Sequence, residues 1–208
     1  RGLGDVYKRQ QGQSILMQNY RQFIHQEYGV RQLLVEHTHF NDPEKREHIR
    51  RLLIRAAQQK TIPIVNYNDP VSDEENRKME LAIRRSHGDQ VVECVDNDET
   101  AAVIANLVHA KKLVLMTSTE GIYRDPADPK TLVEQVTAKS MEELEEKVRQ
   151  LQESCVGASR AGANGAKAKL EYALKSARQG TMVIIGHARH RLSDLVEGRV
   201  ACTRIGLE

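Results

Sequence analysis

The chain has 208 residues, 39% of them hydrophobic, and a formal net charge of +2, which suits one core-forming domain or a little more. Acidic and basic residues are interspersed, with no basic block carrying interleaved aromatics, so charge gives no support to nucleic-acid binding. No apolar run is long enough to span a bilayer, and residues 1–10 lack the apolar centre of a signal peptide.

Residues 1–10 show no clear periodicity and read as a non-native leader, which leaves 11–208 for the domain. Residues 13–28 read as a helix with Leu16, Tyr20, Phe23 and Ile24 on one side. Gly29 stops it, and residues 30–35 read as a strand. Asn41-Asp42-Pro43-Glu44 is a helix start, with a capping side chain, a proline in the first turn and then an acid. The helix that follows carries Ile49, Leu52, Leu53, Ala56 and Ala57 as one apolar stripe. Residues 61–65 form a short strand that exits into the polar run Asn66-Tyr67-Asn68-Asp69-Pro70. A mostly exposed helix is expected over 73–85. A strand over 90–95 then leads into Asp96-Asn97-Asp98 and a helix over 99–110. Residues 112–117 read as a buried strand, 140–153 and 165–179 as helices, and 181–186 and 199–205 as the last strands. Cys94, Cys155 and Cys202 have neither CxxC spacing nor a disulfide framework. They read as small buried apolar side chains in a reducing, cytoplasmic compartment.

Short apolar strands separated by helices predict an α/β fold, a three-layer αβα sandwich with a mainly parallel sheet. Ligands of such sheets sit beyond the carboxyl ends of the strands, so the loops that follow strands carry the interest. Two of them cluster Asn and Asp: residues 66–69 and 96–98. Taken singly each cluster reads as turn chemistry, and two of them at corresponding strand ends shift the reading toward a site. Asn amides recognise the carboxylate and ammonium of an amino acid together, and carboxylates hold an ammonium, a lysine or Mg²⁺. A third segment, Gly162-Ala163-Asn164-Gly165-Ala166-Lys167-Ala168-Lys169, opens a helix. Its small residues allow backbone N–H groups to approach phosphate, and a lysine there could neutralise a transferring phosphoryl group. A fourth, Thr117-Ser118-Thr119-Glu120-Gly121-Ile122-Tyr123, follows the buried strand and reads either as a nucleotide contact or as an ordinary strand exit. His37, His39, His187 and His190 form close pairs without zinc-site partners and read as solvated loop residues.

Taken in order, these segments resemble the glutamate 5-kinases of the amino-acid kinase family. Residues 62–69 look like that family's "IPIxNEND", Asp96-Asn97-Asp98 like "GDND", residues 113–123 like "LLLLTDxxGLY", residues 162–169 like "GTGGMxTK", and Asp194-Leu195-Val196-Glu197-Gly198 like "DVMEG". Gly12-Gln13 resembles the start of the family's "VGQ" helix. The resemblance implies phosphoryl transfer from Mg²⁺-ATP to the γ-carboxylate of L-glutamate. It implies that Asp69 and Asn97 bind glutamate in a pocket shaped by Asn66 and Asp96. It further implies that Asp98 orients catalytic lysines and that Lys169 meets the transferring phosphate. Thr117, Ser118 and the run Ala163, Asn164, Gly165, Ala166, Lys167, Ala168 and Lys169 would line the ATP site. A homo-oligomer without membrane or nucleic-acid partners is expected. The other readings are a non-catalytic ligand-sensing relative and a kinase for another acidic substrate, such as uridylate or aspartate.

The departures are Ser118 for the family's Asp, Asn164 for a glycine, Ala166 for a methionine and Val95 for the glycine before Asp-Asn-Asp. The family's first strand with its "KxGSS" lysine and its "SSGA" loop have no counterpart in residues 1–208. Residues 1–208 alone are therefore expected to turn over poorly; robust γ-glutamyl phosphate formation by this stretch would contradict the expectation.

Overall fold

The computed structural model describes residues 3–68, 74–87, 91–94, 96–125, 127–154 and 165–208, with 3–10 and 74–76 as backbone alone. The chain divides into two compact units, Arg1–Asn97 and Asp98–Glu208.

The first unit begins with α1 (Leu3–Phe23), which takes in residues 3–10 and ends before the expected residue 28. Strand β1 (Gly29–Val35) follows, and then the short helix α2 (His37–Asn41), which has no apolar period to announce it. Helix α3 (Pro43–Gln58) starts as its sequence dictates. Pro43 opens the first turn, and the Asp42 carboxylate accepts the N–H groups of Glu44 and Lys45 at 2.9 and 3.0 Å. The Lys45 N–H is the chief force holding the Asp42 carboxyl below its ordinary range. Of the predicted stripe, Ile49 and Ala56 are buried, whereas Leu52 stays 43% exposed. Strand β2 (Thr61–Tyr67) lies parallel to β1, from Gly29 opposite Thr61 to Val35 opposite Tyr67. Helix α4 (Glu74–Ser86) completes the unit.

The strand expected over 90–95 is absent from the described residues 91–94. A side chain stands where a neighbouring strand would be. The Asn41 carboxamide donates to the Val92 carbonyl and accepts from the Val92 N–H, both at 2.8 Å. Cys94 then turns to φ +52°, outside the extended region. Val92 thus satisfies its backbone without a ladder.

The second unit opens with α5, which begins one residue earlier (Asn97–Leu107). Strand β3 (Lys112–Thr117) leads to a hairpin of two-residue strands, β4 (Ile122–Tyr123) and β5 (Leu132–Val133), and to β6 (Gln135–Ala138). Helices α6 (Met141–Ser154) and α7 (Ala166–Ala177), strand β7 (Met182–His187), helix α8 (Leu192–Glu197) and strand β8 (Thr203–Leu207) follow. The sheet order is β3-β7-β8-β6; β3/β7 and β6/β8 are parallel and β7/β8 is antiparallel. Strand alternation divides its faces. Leu113, Leu115, Val183, Ile185 and Ile205 pack with α5, α6 and α7. Ile184 packs on the other face with Leu195 of α8 and Cys202, with Val114 against them. Helices on both faces of a sheet with parallel neighbours make this an α/β fold, as the alternating pattern predicts. Cys94 and Cys202 are buried, and Cys155 lies outside the described residues.

Replacing Asn41 by Ala leaves the Val92 N–H and C=O without their carboxamide partner. It is expected to cost about 1–3 kcal/mol in urea unfolding, with the second unit's packing untouched.

Candidate active site

At the carboxyl end of the β1–β2 pair, the polar residues sort by strand alternation. Asn66 turns its carboxamide back to accept the Tyr67 N–H at 3.0 Å. Asn68 donates from Nδ2 to Glu36 Oε1 at 2.7 Å, and its own N–H meets the Val35 carbonyl at 2.9 Å. This ties the exit of β2 to the exit of β1. Next to them, His37 is 5% exposed, its Nδ1 3.1 Å from the Tyr67 hydroxyl and its Nε2 3.0 Å from Glu80 Oε2. An Nε2–H donated to the Glu80 carboxylate leaves Nδ1 to accept the Tyr67 hydroxyl. His37 is therefore a buried, doubly bonded residue rather than a solvated one. Its neighbour His39 accepts the Glu36 N–H at 2.9 Å.

In the second unit, Asp98 stands in the first turn of α5 and Lys169 in the first turn of α7. The Lys169 ammonium forms an ion pair with the Asp98 carboxylate, and the two side chains are 22% and 25% exposed. The sequence explains the placement. Ala102 and Ala105 of α5 pack into the same core as Leu170, Ala173 and Ala177 of α7, so both helices lie on one face of the sheet. Gly165 is the N-cap of α7 and supplies no capping side chain. A helix N-terminus with glycine at its cap, beside a lysine, is the arrangement that suits phosphate.

Thr117 ends β3 opposite His187 at the end of β7, and the Ala188 N–H donates to the Thr117 carbonyl at 2.8 Å. The two loops after these strands meet. Glu120, 17% exposed in its side chain, accepts from His190 Nε2 at 2.6 Å and is ion-paired with Arg189. Ser118 lies in this loop. Gly121 seats it on β8: a Cβ there would fall 2.4 Å from Thr203 Oγ1 and 2.9 Å from the Thr203 N. Ile122 N–H donates to that same hydroxyl at 2.8 Å.

Of the residues expected from sequence, the structure joins Asp98 to Lys169 and sets Thr117 and Ser118 at the end of β3. Asn66 lies at the end of β2 in the first unit. Asp96 is partly buried directly before α5, and Asn97 is the exposed first residue of that helix. Gly165, Ala166, Lys167 and Ala168 form the start of α7. Asp69, Ala163 and Asn164 lie outside the described residues. Sequence reasoning missed Glu36, Tyr67, Glu80, Glu120 and Arg189 as partners. The available signal was position, since Glu36 directly follows an apolar strand and Glu120 lies three residues after another. Among the described residues, no group of three His, Cys, Asp or Glu is placed to hold a metal ion.

The amino acid kinase family model matches residues 7–187. The chain belongs to the amino acid kinase family. Curated relatives include a glutamate 5-kinase of Geobacillus thermodenitrificans, 32% identical over 200 residues, covering 94% of this chain and 48% of that protein. Glutamate 5-kinase 1 of Bacillus subtilis is 29% identical over 199 residues, covering 94% and 49%. The chain thus spans about half the length of the curated relatives it matches. Among solved structures, a UMP kinase of Ureaplasma parvum aligns with 87% of this chain and all of its own, at 10% identity and a TM-score of 0.38.

Within this amino acid kinase chain, Asp98 and Lys169 are expected to couple. Asp98→Asn and Lys169→Met should each destabilise the protein, and the double variant should fall short of their sum by about 1 kcal/mol in a double-mutant cycle.

Proposed function

We propose that the chain is part of a cytoplasmic kinase that transfers the γ-phosphoryl group of ATP, as its Mg²⁺ complex, to the γ-carboxylate of L-glutamate. The observation that carries the reading is the Lys169–Asp98 pair at the glycine-capped N-terminus of α7. A carboxylate oxygen of glutamate attacks the γ-phosphorus, the bond from that phosphorus to the β,γ-bridging oxygen breaks, and ADP leaves with the electron pair. The products are γ-glutamyl phosphate and ADP. Glutamate's carboxylate is already ionised near neutrality, so the step needs no general base. The protein's part is to place the two substrates and to offset the charge that gathers on the phosphoryl oxygens.

Lys169 supplies that positive charge, and Asp98 fixes where the ammonium points. The first-turn amides of α7 add the positive end of the helix dipole. Thr117 and Ser118 line the nucleotide side. Asp69, Asn97, Asn66 and Asp96 take up glutamate, the amides reading its α-carboxylate and the acids its ammonium. Mg²⁺ would arrive with the nucleotide and would offset part of the phosphate charge.

The test is hydroxylamine trapping of acyl phosphate by the full gene product with Mg²⁺-ATP and L-glutamate. Hydroxamate should form only with both substrates and should fall at least about a hundredfold in Lys169→Ala. ATP binding without hydroxamate from glutamate would move the reading to another acidic substrate. Neither binding nor product would favour a ligand sensor.

A further inference from the structure

The loop after β3 and the loop after β7 are joined by an acid that the reaction outlined above does not use. Glu120 sits three residues beyond Thr117 and is largely buried in its side chain. It takes the His190 Nε2–H at 2.6 Å and pairs with the Arg189 guanidinium. The backbone around it is arranged to hold those two donors. His190 N–H donates to the His187 carbonyl at 3.1 Å, and Arg189 N–H donates to His187 Nδ1 at 3.0 Å. The His187 and His190 rings meet edge to face, 6.3 Å between centroids. On the other side, Thr119 Oγ1 donates to the Gly121 carbonyl at 3.0 Å, and Gly121 is wedged on Thr203. Each loop is internally fixed, and Glu120 is the side chain that fastens one to the other.

The position matters because both loops leave the carboxyl ends of adjacent parallel strands, where α/β sheets bind ligands. Among the described residues, the contact of Thr117 with the β7 exit runs through its backbone carbonyl, so the placement of Thr117 and Ser118 draws on backbone contacts and on this clamp. Resting on the nucleotide reading of that loop, we propose that Glu120 is a positioning residue for the nucleoside triphosphate. By clamping the β3 exit to His190 and Arg189, it holds Thr117 and Ser118 in the geometry that receives ATP. Arg189 keeps a side chain 64% exposed, so its outward N–H groups stay available beside the same loop.

The experiment is calorimetric titration of the full gene product with Mg²⁺-ATP, for wild type, Glu120→Gln, His190→Gln and the double variant, with thermal melts alongside. A clamp predicts that each single variant weakens ATP binding about tenfold. The double variant should be no weaker than the worse single one, because both substitutions remove one interaction. L-glutamate binding should be unchanged. Should Glu120→Gln fold poorly, His190→Gln alone still decides, since it removes the histidine and leaves the acid and its Arg189 partner in place. Wild-type ATP affinity in both single variants, or losses that simply add, would overturn the clamp while leaving the kinase reading intact. Failure of the wild-type protein to bind ATP would overturn both.

Discussion

The second unit depends on β7. Its central residues, Val183, Ile184 and Ile185, are completely buried, and a strand apolar on both faces must be covered on both. Val183 and Ile185 draw α5, α6 and α7 onto one side; Ile184 draws α8 onto the other. Parallel pairing with β3 then brings two carboxyl ends side by side. The ion pair of Asp98 with Lys169 and the meeting of the loops after β3 and β7 both follow from that one strand. Neither pair of residues is close in sequence, and no local propensity brings them together.

The small residues of α5 and α7 make the approach possible. Ala102, Ala105, Ala173 and Ala177 line the faces turned to the core, and small side chains let helix axes come near each other and the sheet. Bulkier residues there would push the first turns apart and take Lys169 from Asp98. Gly186 does the corresponding work on the opposite face: a Cβ would stand 2.3 Å from Leu195 Cδ2. Packing volume, read from four alanines and one glycine, therefore sets the geometry of charged groups roughly one to two helical turns away.

The fold was legible wherever a long apolar period or a cap announced it. The Asp42-Pro43 start of α3 and the apolar run of β3 are in place, and the alternation of strand and helix yields an α/β fold. What escaped were elements too short to carry a period: α2, α8 and the two-residue strands β4 and β5. The strand expected over 90–95 shows a different limit. Val91 and Val92 have the composition of a strand, but a strand needs a neighbour, and the carboxamide of Asn41, some fifty positions earlier, occupies that role. His37 was misjudged for the same reason. Its burial depends on Tyr67 and Glu80, which only tertiary structure supplies. The candidate residues were chosen through motif order, whereas Glu36 and Arg189 lie outside every motif and Glu120 fills a variable position of one.

Pairing Lys169 with Asp98 has a consequence for the chemistry proposed. A lysine approaching a helix N-terminus meets the positive end of a dipole, which by itself opposes the ammonium. The carboxylate of Asp98 offsets that repulsion and keeps the lysine in place before any anion arrives. The pair is only partly buried, each side chain about a quarter exposed, so its attraction is moderated by solvent. An incoming phosphate can then compete for the ammonium without first breaking a fully desolvated ion pair, whose loss would cost several kcal/mol. A lysine held firmly enough to be placed, and loosely enough to be shared, is what transfer between two anionic substrates requires. The same reasoning explains why an acid rather than an amide suits position 98. An Asn there would accept a hydrogen bond from Lys169 but would leave the positive charges of ammonium and helix end uncompensated whenever no phosphate is bound.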